Sequence, residues 1–136
     1  MKLMFTLTRA SVDAVVRVIV AQIKYDYANI TTSDFVENSG LALQVLSPYN
    51  RDFIAPLAQA ARTHVLYDET ITVDTYHPLH FREVLLTKFP LPYIRYLESG
   101  GSYAPVDGGL VMWSAGSVAA TTPELNMTSR VEFIDS

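Results

Sequence analysis

The stretch from Ala14 to Ile23 constrains this chain more than any other, because it is the longest apolar segment and is broken only by Arg17 and Gln22. It is well short of the roughly 20 apolar residues that cross a bilayer as a helix, so it has to be packed inside a folded domain. Its apolar positions Val12, Val15, Val16, Ile19 and Ile23 follow helical spacing, with Ser11 as a cap and Asp13 in the first turn. The β-branched run Val15–Val20 argues for a strand instead. Length and spacing together predict a helix here.

The rest of the chain sorts around that element. Residues 3–8 alternate in part and predict a short strand, and Ile30 to Ser33 forms a connector. Asp34 with Glu37 three residues on resembles a capping box, Gly40 to Leu46 fits a strand or a short helix with the strand favoured, and Ser47 to Asn50 is a turn. Pro56 opens a predicted helix running to about His64, with Leu57, Ala60 and Ala61 packed closely. Ile71 and Val73 alternate with Thr70, Thr72 and Asp74, as a half-buried strand does. Pro78 is expected to start a short helix through Phe81, Val84 and Leu85, and Phe89 to Pro92 to break any helix.

Tyr93 to Leu97 and Leu110 to Trp113 predict strands. Met127 to Ile134 alternates, with Val131 and Phe133 on one face and Arg130 and Glu132 on the other. Ser99 to Gly109 holds four glycines and Pro105 and is expected as the longest loop, a mobile arm or a lid. Gly116 to Asn126 looks irregular. The expected architecture is one α+β domain over residues 1–136, a mainly antiparallel sheet packed against two or three helices.

Charge narrows the function classes. Only 18% of residues are charged against 49% hydrophobic, which excludes a disordered tail or a charge-rich long helix. The net charge is −4, and the whole excess lies in residues 69–136, so a phosphate-binding surface is disfavoured there. No cysteine occurs, which removes thiol catalysis, disulfides and cysteine-bound metals. The first residues offer no apolar region long enough for a signal peptide, so secretion by that route is not expected; a virion or host cytoplasm is the expected setting.

Catalytic patterns are weak. His77, His80 and Glu83 could share a helix face and hold a divalent metal, although the spacing is not that of a zinc-protease helix. The glycine segment 100–109 lacks the Gly-Lys-Ser/Thr ending of a phosphate loop, and Asp107 would repel an anion. Ser114 and Ser117 lack a nucleophile elbow. The aromatics around Arg95 split between two faces of a strand, so base stacking is not favoured. No cofactor, nucleic acid or membrane partner is expected.

What the sequence does carry is a surface poor in charge. Only three lysines occur, Lys2, Lys24 and Lys88, whereas there are eight tyrosines and twelve threonines. Tyrosine enrichment and lysine depletion mark protein interfaces. The expectation is therefore a non-enzymatic structural subunit of a homo-oligomeric assembly, a virus or bacteriophage virion component by analogy of class. Tyr93, Tyr96, Tyr103 and Trp113 are the expected contact residues. The alternatives are a small ligand-binding or metal-dependent enzyme domain built on His77, His80, Glu83 or Asp107, and an inhibitor or adaptor acting through the acidic second half.

Overall fold

The computed structural model describes residues 1–24, 30, 35–36, 63–99, 102–118, 122–130 and 132. These residues are all-β, not α+β. Eight strands run in order: β1 (Lys2–Thr8), β2 (Ala14–Ile23), β3 (Thr63–Val73), β4 (Leu79–Leu85), β5 (Arg95–Ser99), β6 (Ser102–Asp107), β7 (Leu110–Gly116) and β8 (Glu124–Arg130). They form two three-stranded sheets, β4-β1-β8 and β3-β2-β7, and a β5-β6 hairpin, every pairing antiparallel.

The two three-stranded sheets face each other as a sandwich. Leu3, Phe5 and Leu7 of β1 point inward against Val16, Val18 and Val20 of β2 and Ile71 and Val73 of β3. Alternation places these residues on one face of each strand. At roughly 25 cal/mol per Å² of apolar area buried, this shared core is the main stabilising term.

The expected helix at Val12–Ile23 is instead β2, the central strand of its sheet, and the reason is burial on both faces. Its even residues fill the sandwich core, while Ile19 and Ala21 pack on the other face with Phe35 and Val36. A strand covered on both sides has no need to alternate, so its apolar run mimics helical spacing. Arg17, also on the far face, is only 7% exposed. Its Nε and Nη2 donate to Asp68 of β3 at 2.9 and 2.7 Å, a bidentate pair that meets the need of a buried charge.

The expected helix after Pro78 is β4, paired with β1 from Lys2↔Leu85 to Thr8↔Leu79. Its residues alternate between faces, so Val84 turns toward the core while Leu79, Phe81 and Leu85 turn outward. The expected loop 99–109 contains β6, which closes a hairpin on β5. Of the expected helix Pro56–His64, residues 63–64 belong to β3; residues 56–62 lie outside the described residues. So do the capping pair Asp34/Glu37, the strand Gly40–Leu46, the turn Ser47–Asn50 and the end of the 127–134 strand. Among the described residues, no helix is long and apolar enough to cross a membrane.

Candidate functional site

The two long sides of the sandwich differ. On the side where β3 meets β4, the chain passes directly between the sheets through residues 74–78. The Asp74 carboxylate accepts the amides of Tyr76 and His77 at 2.9 and 2.7 Å and fixes this turn. The His77 amide, above all, holds the Asp74 carboxyl below its usual pKa. Behind the turn, Arg82 of β4 donates through Nε to Glu69 of β3 at 2.9 Å, and the Tyr67 hydroxyl donates to the same carboxylate. Burial, then the neighbouring Glu69, raises the Tyr67 phenol pKa. The Tyr67 ring meets Phe5 edge-on at 6.2 Å. This side is closed by an ion pair, a hydroxyl and a ring.

On the other side, where β7 and β8 face each other, a groove of about 270 Å³ runs between the sheets. Leu3 and Val20 form its floor, Met112 of β7 and Met127 of β8 its walls, and Ile94, just before β5, and Tyr96, within it, reach it from the segment 91–96. Met127 is 47% exposed and Tyr96 is 56% exposed.

A buried glutamine sets the position of that segment. The Gln22 amide nitrogen donates to the carbonyls of Leu91 and Gly108 at 2.8 and 3.1 Å, and its oxygen accepts the Leu91 amide at 2.9 Å. Beside it, Ile23 and the Gly108–Gly109 turn exchange backbone hydrogen bonds of 2.6 and 2.8 Å. Gly108 has φ +76°, and a Cβ there would lie 1.9 Å from the Tyr93 carbonyl oxygen. Only glycine admits both the conformation and this approach. Gln22 and Gly108 thereby hold Tyr93, Ile94 and Tyr96 beside the groove.

The four expected contact residues do not share one surface. Tyr96 lines the groove, and Tyr93 lies exposed in the same segment. Trp113 is on the far face of β7, stacked on Phe35 with centroids 5.9 Å apart, so it serves packing. Tyr103 stands in β6 across from Glu98. The sequence reading missed Met127 and Ile94, and also the outward row Leu79, Phe81 and Leu85 on β4. Period-two alternation through 79–85 was the signal for that row, but Pro78 suggested a helix start.

The metal set does not converge. His80 lies across from Leu7 on the inner face of β4, whereas Glu83 lies across from Met4 on the outer face and pairs with Lys2 at 3.1 Å. His77 is held by Asp74 at 3.2 Å. No group of three metal-capable side chains occurs among the described residues. Neither this groove nor a smaller one at Leu7, Val16 and Leu125 is lined by His77, His80, Glu83 or Asp107. Asp107 instead pairs across the hairpin with Arg95 at 2.8 Å.

Comparison with protein-family profiles, with curated proteins and with solved structures found no match.

Proposed function

We propose that this protein is a subunit of a homo-oligomeric assembly and acts through protein–protein contacts. The observation that carries this reading is the placement of large apolar side chains outward on regular strands. Leu79, Phe81 and Leu85 form a row along the outer face of β4. Ile94, Tyr96 and Met127 form a second patch at the groove. Scattered exposed apolar residues are ordinary, but three large apolar side chains on one strand face, interrupted by Glu83 alone, favour a surface for another protein. Two separate patches on one subunit permit more than one kind of contact, as closed rings and lattices require.

A small-ligand reading has less behind it. The groove is below the usual size range of about 300–1,000 Å³ for ligand pockets. Among the groove-lining residues, Ser129 and the Tyr96 hydroxyl supply the side-chain polar groups. The virion setting expected from composition has no support in the fold or in the comparisons and is not carried forward.

The test is sedimentation velocity of the full chain across a hundredfold concentration range, alongside Phe81→Ser. The expected result is reversible self-association that Phe81→Ser weakens. A wild-type chain that stays monomeric throughout contradicts the proposal.

A further inference from the structure

We infer that β8 is a self-complementary edge at which a second copy of this chain adds in antiparallel register. The inference rests on the assembly reading above and names one of its interfaces. β8 pairs with β1 on one side, and among the described residues no strand lies on the other. An unpaired edge offers a row of amides and carbonyls to another strand unless something blocks it.

The edges on the closed side carry such blocks. β3 has a bulge, since Val20 pairs with Tyr67 and Ala21 with Val65, which leaves Leu66 unmatched. β4 turns the charged Arg82 inward, toward Glu69. Bulges and inward charges are two of the devices that discourage edge pairing. β8 has neither. Its seven residues match β1 in unbroken register, it contains no proline or lysine, and its inward residues are Leu125, Met127 and Ser129.

The sequence of β8, Glu-Leu-Asn-Met-Thr-Ser-Arg, then selects the partner. A two-fold axis at Met127 places Glu124 opposite Arg130 of the second copy, and Arg130 opposite its Glu124. The same operation sets Asn126 opposite Thr128, Leu125 opposite Ser129, and Met127 opposite itself. Opposite charges and polar pairs across strands favour the arrangement. Sliding the register by two residues one way sets Glu124 against Glu132, and the other way sets it against Thr128. Only the register centred on Met127 matches both charges.

The free subunit also gains relief there. Arg130 lies directly across from Lys2 in the β1–β8 pair, a like-charge contact. It is offset by exposed ion pairs, Lys2 with Glu83 at 3.1 Å and Arg130 with Glu132 at 2.8 Å. Glu124 of the second copy would bring a further carboxylate to this corner. Pairing would join the two β4-β1-β8 sheets into one continuous sheet across the axis. β7 contains no charged residue that could set a register in the same way.

The test uses the 136-residue chain, which contains no cysteine. Met127→Cys is expected to form a covalent dimer with a short bis-maleimide. Glu124→Cys alone is not, because its two copies would be about 20 Å apart at roughly 3.4 Å per residue. Mixing Glu124→Cys with Arg130→Cys is expected to restore the cross-link. In sedimentation, Glu124→Arg is expected to weaken association roughly tenfold, by turning two attractive cross-strand pairs into repulsive ones. Combining Glu124→Arg with Arg130→Glu is expected to recover it. Association that persists while Glu124→Arg changes nothing and Met127→Cys fails to cross-link overturns the β8 interface and leaves the assembly reading standing. A wild-type monomer at every concentration overturns both.

Discussion

The β3/β4 side and the β7/β8 side of this sandwich are built from the same kinds of strand and end differently. On the first, Arg82, Glu69 and Tyr67 bridge the sheets, the turn at Asp74 is hydrogen-bonded shut, and the edges carry a bulge and an inward charge. On the second, the space between sheets is a groove with half-exposed Met127 and Tyr96, and the β8 edge is regular. The fold thus blocks its β3 and β4 edges and leaves the β7 and β8 edges regular. Of the two regular edges, β8 alone carries opposite charges at its two ends, which is the basis of the interface proposed for it.

Three perturbations separate the two sides. Gly108→Ala should have the largest effect, about 3 kcal/mol of lost stability in denaturant unfolding, because a Cβ meets the Tyr93 carbonyl and the residue requires positive φ. Loss of Tyr93 and Tyr96 order beside the groove should accompany it. An unchanged midpoint would mean that the segment is not held as described.

Arg82→Leu should cost about 1 kcal/mol, since the Arg82–Glu69 pair is partly solvated. Its more informative outcome is new self-association through β4, whose inward charge is then gone. Sedimentation identical to wild type would show that Arg82 does not guard that edge.

The smallest effect concerns pH. The Tyr67 phenol has a raised pKa in the fold, caused first by burial and then by Glu69. Its stabilising contribution is therefore complete below the unfolded-state pKa of about 10 and is lost as pH rises past that value toward the folded one. Tyr67→Phe should show a shallower loss of thermal stability than wild type in that alkaline window. Parallel curves would remove Tyr67 from the account of the closed side.

The sequence foretold some of these strands and hid others for identifiable reasons. Leu3 to Thr8, Thr70 to Val73 and Leu110 to Trp113 alternate or follow turn residues, and they are strands in the fold. β2 was hidden because Ile19 and Ala21 are buried against Phe35 and Val36 while Val18 and Val20 fill the core, which erases alternation. β4 was hidden because a proline before an apolar residue suits a helix start as well as a strand start. The glycines at 100–109 signalled a turn, but not that β6 would pair with β5.

The site was legible in part. Tyr96 was marked by its type, and it lines the groove. Trp113 was marked for the same reason and is used in packing against Phe35. Met127 carried no signal, because its exposure follows from β8 being an edge, and edges are a property of strand order. The outward row on β4 depended equally on knowing that β4 is a strand.

The most direct test of the contrast between the two sides is amide hydrogen exchange of the wild-type chain at low and high protein concentration. The account predicts that amides in β8, Glu124 to Arg130, slow as concentration rises, while those in the bulged edge strand β3 keep their rates. β8 amides that exchange equally fast at both concentrations while the protein associates, or protection that develops at the β3 edge instead, would contradict it.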